Sequence, residues 1–286
     1  MGVDTRAMKI IAHRGASKDR PEHTIAAYEL AVAQRADGYE CDVRLTRDGE
    51  LVCIHDRTVD RVSDGRGAVS DMTLAQLQEL DFGTPAHPAN VLTFRELLEF
   101  FQDQRHSRPD DGRPTDQQKP ELFVETKHPN RYGPRVEYAL NQALERAGLS
   151  DGRGVHLISF SPQSLVRFRL INPRVPRILL RREYQRLIRP GLDTLGVVNN
   201  HGLPISKARV RPALLGRSEE SYVWTADRED DVRWAAKKGV TWLASNYPGR
   251  ARCWRDDAKK MQFDPYPATP RGTRRTANKR PERSSV

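Results

Sequence analysis

Residues 9–56 read KIIAHRGASKDRPEHTIAAYELAVAQRADGYECDVRLTRDGELVCIHD, and the fold is decided there. The apolar run Ile10-Ile11-Ala12 stops at His13-Arg14-Gly15, so a buried strand delivers an imidazole and a guanidinium at its end, a pair suited to anions. Pro21-Glu22-His23-Thr24 opens a second element. Pro suits a first helical turn, and Ile25, Tyr28, Ala31 and Val32 follow at roughly helical spacing. From Tyr39 to Leu45 the pattern alternates strictly, placing Tyr39, Cys41, Val43 and Leu45 on one strand face and Glu40, Asp42 and Arg44 on the other. An antiparallel sheet with one wet side would alternate in the same way. The continuation strengthens the reading as a site, because Arg47-Asp48-Gly49 is a tight-turn signal and Leu51-Val52-Cys53-Ile54 leads back to His55-Asp56. The hairpin returns a second imidazole toward the acids.

Working outward, strand-like runs recur at 121–126, Val155–Ser159, Arg177–Leu180, Leu195–Val198, Ser221–Trp224 and Thr241–Ser245. Helical patterns at Pro134–Ala147, Pro162–Leu170 and Arg228–Lys238 separate several of them. With 9–12 and 39–43 these make eight β units alternating with helices, which implies a (β/α)8 TIM barrel carrying a small insertion, about residues 57–92, after the second strand. The hairpin at 48–49 must be antiparallel, since two residues cannot make a parallel crossover, so it stands above the barrel. Thr93 and Glu96 form a capping box, and the polar, turn-rich stretch 105–120 reads as a mobile surface loop. Barrel sites lie at the C-terminal ends of strands, so His13, Glu40, Asp42 and Glu125 would converge at one rim. Glu125 and Lys127 share a face by period two, although the default reading of an isolated E-x-K is an exposed, salt-bridged strand end.

Composition sets the outer bounds. A chain of 286 residues accommodates one such barrel, assigned to 1–250, plus a tail at 251–286. Residues 250–286 hold eleven Lys/Arg against four Asp/Glu, so +7 of the net +10 sits there, and its polar composition implies disorder toward the end. Cys41, Cys53 and Cys253 show no CxxC spacing, and an odd number argues against a disulfide framework. With no apolar run near the roughly 20 residues of a membrane span and no secretory h-region, a cytoplasmic location is expected. Met8 immediately precedes the first strand and residues 1–7 carry no pattern, so Met8 is an alternative start.

The ordered set of a strand ending in HRG, a PEHT helix start, an E-x-D strand, a T-x-DG turn and an HD pair resembles the glycerophosphodiester phosphodiesterase family. The likeness extends to about residue 248, with Ser159-Phe160 and Tyr222-Val223-Trp224-Thr225 resembling the family's SF and WT elements. What the resemblance implies is metal-dependent hydrolysis of glycerophosphodiesters to an alcohol and glycerol 3-phosphate. Glu40, Asp42 and Glu125 would offer hard oxygen ligands to Mg²⁺ or Ca²⁺, and His13 and His55 would serve as the acid–base pair. Arg14 and Lys127 would hold the nonbridging oxygens, Trp224 would wall the substrate pocket unless it belongs to the core, and the substrate's own hydroxyl could attack first to give a cyclic phosphate. Glu22 would orient Arg14 or a hydroxyl, or else simply favour the helix dipole.

Three positions depart from the family pattern. His23 stands where Asn is usual, the run after WT reads Thr225-Ala226-Asp227, and the last strand ends Ser245-Asn246-Tyr247-Pro248 in place of TDYP. The last two departures are expected to bear on substrate preference rather than on chemistry. Competing readings are a lysophospholipase D, a zinc site on His13 and His55, and a non-catalytic basic protein gripping polyanions through its tail. A small-molecule glycerophosphodiester is the expected partner, with no requirement for nucleic acid.

Overall fold

Eight parallel strands close on themselves in a computed structural model that describes residues 8–107, 119–184, 198, 200–217 and 220–262. The strands are β1 (Lys9–His13), β2 (Gly38–Leu45), β4 (Glu121–Thr126), β5 (Val155–Ser159), β6 (Arg177–Leu180), β7 (Asn200–Pro204), β8 (Ser221–Trp224) and β9 (Trp242–Ser245). The order β1-β9-β8-β7-β6-β5-β4-β2 is sealed by a parallel β1–β2 pairing in which His13 lies beside Glu40. The short β3 (Leu51–Cys53) pairs antiparallel with the far half of β2, Val43 opposite Cys53, so the hairpin rises above the barrel as its turn requires.

Strand periodicity sorts the side chains. Ile11 joins Phe123, Ile158, Ile178, Tyr222 and Trp242 inside the barrel, whereas Ile10 and Ala12 face outward into the apolar layers beneath the helices. Those layers bury the inner faces of α1 (Ile25–Ala33), α3 (Phe94–Ser107), α4 (Arg135–Arg146), α5 (Pro162–Ile171) and α7 (Glu229–Lys237). The insertion, which includes the short α2 (Leu74–Gln78), packs Val59, Val69, Leu77, Phe82 and Val91 on Val52 and Ile54 of the hairpin in a separate cluster. No helix of the described residues is long and apolar enough to cross a membrane.

Three expectations need correcting. The first helix starts at Ile25, not at Pro21, because Thr24 is its cap, accepting from Ala27 N at 3.2 Å, and His23 takes φ 56°, which no helix tolerates. Glu22 therefore lies before the cap, and the helix-dipole reading of it falls. The strand expected at Leu195–Val198 is instead β7 at Asn200–Pro204; 195–197 lies outside the described residues. NHGLP gives little apolar pattern, and its interior position is Gly202, where a Cβ would meet Trp224 at 2.8 Å and Leu180 at 2.7 Å.

The last correction concerns the domain end. The boundary at residue 250 falls inside a helix following β7's short α6 (Ile205–Val210) and α7, namely α8 (Pro248–Gln262). Arg255 clasps it to the barrel, donating to Asp37 Oδ2 at 2.6 Å and Met8 O at 3.0 Å. A buried guanidinium paired to a buried carboxylate fixes the helix where composition suggested only tail. Most of the 105–120 loop and residues 1–7 and 263–286 lie outside the described residues.

Candidate active site

The turn after β1 builds the first half of the site. Arg14 and Gly15 take φ 60° and 81°, and a Cβ at residue 15 would sit 2.7 Å from Ala27, so glycine is required for the turn to pack on α1. The unusual backbone at Arg14 is held by its N–H, which donates to both the carbonyl and the Oε2 of Glu40, each at 3.1 Å. His13 then stands with Nε2 3.8 Å from Glu40 Oε2.

Glu40, Asp42 and Glu125 meet in one buried cluster, one oxygen from each lying within 4.8 Å of the others. Two oxygens on one Ca²⁺ at about 2.3–2.6 Å can be separated by no more than about 5 Å, so the three fit a single hard cation. Two cations already press on them. Lys127 Nζ lies 2.8 Å from both Asp42 Oδ1 and Glu125 Oε1, and Arg14 Nε lies 3.0 Å from Asp42 Oδ2. Arg14 Nε and Asp42 Oδ1 are nonetheless buried without aligned hydrogen bonds.

Compensation is incomplete. Burial and the neighbouring Asp42 push the Glu40 carboxyl well above the usual range. Glu125 rises to about 7, burial and Asp42 outweighing Lys127. Asp42 goes the other way despite its burial, held well below the carboxylate range by Lys127, His23 and Arg14. Three carboxylates face two cations, a deficit of positive charge that a divalent ion would fill.

Each histidine has its own support. Asn246 Nδ2 donates to Asp227 Oδ2 at 2.6 Å, and since a carboxylate only accepts, the amide's orientation is fixed. Asn246 Oδ1 then faces His13 Nδ1 at 2.7 Å and also accepts from Ser17 Oγ at 2.9 Å, so His13 carries its proton on Nδ1 and leaves Nε2 as a free base. Burial, with Arg14 adding to it, lowers His13 to about 3, which keeps the ring neutral. His55 Nδ1 meets Asp56 Oδ1 at 2.7 Å. Arg61 from the insertion donates to Asp56 at 2.5 Å and bidentately to Glu22 at 2.8 and 2.9 Å, and Glu22 in turn accepts from Arg14 at 3.2 Å. One charged chain thus runs from Arg14 to His55.

The nine residues singled out in the sequence fall into three groups. His13, Arg14, Glu40, Asp42, Glu125 and Lys127 form the cluster, and Glu22 and His55 are tied to it through the Arg14–Glu22–Arg61–Asp56 chain. Trp224 is half-buried at the opposite side of the rim, 5.7 Å edge-on to Phe160, with Arg182 stacked 5.3 Å over Phe160.

Sequence reasoning missed His23, Tyr28 and Arg61. His23 Nε2 touches Asp42 Oδ2 at 3.0 Å while the Tyr28 hydroxyl lies 3.0 Å from both His23 Nδ1 and the Glu40 carbonyl. The signal for His23 was its departure from the family Asn; nothing in the sequence pointed to the other two. Asp227 and Asn246, expected to tune substrate preference, also make contacts that orient the His13 ring.

The profile of the Glycerophosphoryl diester phosphodiesterase family matches residues 13–250. A probable glycerophosphodiester phosphodiesterase 1 of Mycobacterium tuberculosis (strain H37Rv) is 38% identical over 268 residues, covering 87% of this chain and 93% of that protein. A Bacillus subtilis (strain 168) glycerophosphodiester phosphodiesterase is 31% identical over 260 residues, covering 83% of each. Among solved structures, a glycerophosphodiester phosphodiesterase from Agrobacterium tumefaciens str. C58 superposes with TM-score 0.69 at 25% identity, covering 86% of this chain and 99% of that one. An Oleispira antarctica phosphodiesterase in complex with the product sn-glycerol-3-phosphate gives TM-score 0.74 at 22% identity, covering 87% and 97%.

Proposed function

The chain belongs to the glycerophosphoryl diester phosphodiesterase family and is an enzyme that hydrolyses glycerophosphodiesters, and from that premise we propose how its residues divide the work. The observation that carries the reading is the carboxylate cluster, buried, short of positive charge and flanked by His13. Glu40, Asp42 and Glu125 hold a divalent ion. An all-oxygen set favours Mg²⁺ or Ca²⁺ over the zinc alternative, and the metal-capable cluster among the described residues contains no histidine. When bound, such an ion supplies Lewis acidity toward a phosphoryl oxygen and a template for the substrate.

The remaining steps belong to this chain's side chains. Arg14 and Lys127 neutralise the phosphate's nonbridging oxygens, Arg14 through a Nε that is buried and not yet aligned to any partner. His13 takes the proton of the attacking hydroxyl at Nε2, because Asn246 keeps the Nδ1 proton in place. His55 donates to the leaving alkoxide; burial, with Lys127 and Arg14, lowers its proton affinity, and Asp56 at its Nδ1 works against that shift and orients the ring. The roles reverse when a second nucleophile completes hydrolysis. Glu22 acts from behind, on Arg14, and Trp224 with Phe160 walls the far side of the rim.

The reading is tested by assaying glycerophosphocholine and glycerophosphoethanolamine with Mg²⁺, Ca²⁺ or EDTA. Loss of turnover on chelation and in His13→Ala is the expected result. Full activity of either would overturn the assignment.

A further inference from the structure

A cleft of about 350 Å³ adjoins the carboxylate cluster, its walls including Arg44, Arg57, Lys127, Arg131, Asp71 and Tyr132. Lys127 belongs to both places, since its Nζ lies 2.8 Å from Asp42 and from Glu125, so the cleft begins where the catalytic cluster ends. Volumes of roughly 300–1,000 Å³ are usual for small-molecule sites, and the lower end suits a head group rather than an acyl chain.

Charge in the cleft does not cancel. Arg131 is neutralised by Asp71. Arg44, by contrast, gives its Nε and Nη2 to the His55 carbonyl at 3.1 and 2.7 Å and has no carboxylate within 4.0 Å among the described residues. Arg57 is exposed and likewise makes no ion pair among them. Exposed arginines are common in a chain with 48 Lys/Arg, but here two unmatched guanidinium groups share one concavity with a lysine of the catalytic cluster.

We infer that this cleft is a subsite for a second anionic group on the substrate, so that the chain prefers glycerophosphodiesters whose head group carries a carboxylate or phosphate over those with a purely cationic head group. The inference rests on the diesterase reading above. A guanidinium is a planar fork matched to either anion, and Arg44, anchored through His55's carbonyl, would be preorganised to meet it.

Glycerophosphoserine and glycerophosphoethanolamine differ by one carboxylate and make a matched pair. We expect kcat/KM for the serine diester to exceed that for the ethanolamine diester by about tenfold, the worth of one charge-assisted contact. Arg57→Ser, outside the catalytic machinery, should remove most of that preference while leaving ethanolamine turnover unchanged. Equal kcat/KM for the two diesters in the wild-type enzyme, or equal losses for both in Arg57→Ser, would overturn the subsite. Inorganic phosphate separates a free anion from a head group. If it alters ethanolamine turnover in wild type but not in Arg57→Ser, and no serine preference exists, the cleft takes an independent anion and the head-group assignment falls. Absence of turnover with either diester would instead overturn the diesterase reading itself.

Discussion

The two ends of the barrel hold the same kinds of residue in opposite electrical states. β1 and β4 each contribute to both: Lys9 and Glu121 at their starts, His13 and Glu125 at their ends, all on interior-facing positions. At the bottom, Glu121 pairs with Lys9 and with His156 Nε2 at 3.1 Å, and although burial opposes it, His156 and Lys9 bring its carboxyl down to about 2. At the top, Glu125 shares its lysine with Asp42 and is pushed up to about 7. Four residues at about 3.3 Å each separate the two glutamates by roughly 13 Å, and Phe123, stacked 4.5 Å from His156 and 5.0 Å from Tyr222, fills the space between. Residue type does not tell a site from a structural plug. Missing countercharge does.

The sharpest way to break this comparison is to neutralise one glutamate at each end. Glu125→Gln should cost more than about 10³-fold in kcat, a metal ligand's worth of transition-state stabilisation, or about 4 kcal/mol. Its melting temperature without added metal should hold or rise, because one of three crowded carboxylates is gone. A large fall in melting temperature would mean that the top cluster is structural after all.

Support for His13 is the next largest effect. Asn246→Asp would set two carboxylates where Asn246 Nδ2 and Asp227 Oδ2 now lie 2.6 Å apart, and we expect about a 10²-fold loss of kcat with little change in KM. The reciprocal pair Asp227→Asn/Asn246→Asp restores a matched donor and acceptor at every contact. Residue 246 would still accept from His13 Nδ1 and Ser17, and residue 227 would still accept from the backbone N–H of 246 and from Ser245. Recovery to within about fivefold of wild type, with an optimum displaced to higher pH by the carboxylate now facing His13, is the expected outcome. A double variant no better than the single one would refute the relay.

Legibility in the sequence followed the same division. The period-two run of β2 and the apolar stop at His13 placed Glu40, Asp42 and His13 on one rim, because strand geometry is local and barrel sites have a fixed end. Glu125 was separated from Glu121 by standing at the C-terminal end of the same strand, but the compensation of Glu121 was not legible, since Lys9 and His156 arrive from β1 and β5. Asn246 and Asp227 act through contacts spanning 19 to 233 residues of sequence, and Arg61, though only 5 residues from Asp56, reaches Glu22 across 39. β7 escaped for a simpler reason: Gly202 contributes no side chain because Trp224 occupies its space.

Glu121→Gln probes the other end. Removing one charge from a partly buried, compensated triad should cost about 1–3 kcal/mol of stability and leave kcat/KM within about twofold. The sign with pH follows from its depressed carboxyl. Folding favours the ionised form, so the wild-type advantage is complete above the ordinary value near 4.5 and is lost as pH falls toward about 2. Chemical denaturation at pH 7 and pH 3 would show the gap narrowing. A constant gap would mean that shape, not charge, is what the glutamine loses.

The smallest effect separates the ends most directly, through protons released on adding metal. A carboxyl that titrates near 7 carries a proton at pH 6, and a divalent ion binds only its ionised form. Mg²⁺ or Ca²⁺ binding should therefore release roughly one proton at pH 6 and fewer by pH 9, with apparent affinity rising as pH rises. Calorimetry in buffers of different ionisation enthalpy counts those protons. Glu121→Gln should leave the count unchanged, since that carboxyl is already ionised at pH 6 and faces Lys9 rather than the ion. Glu125→Gln should lower it. A count that moves with Glu121 or ignores Glu125 would erase the electrical difference between the two ends.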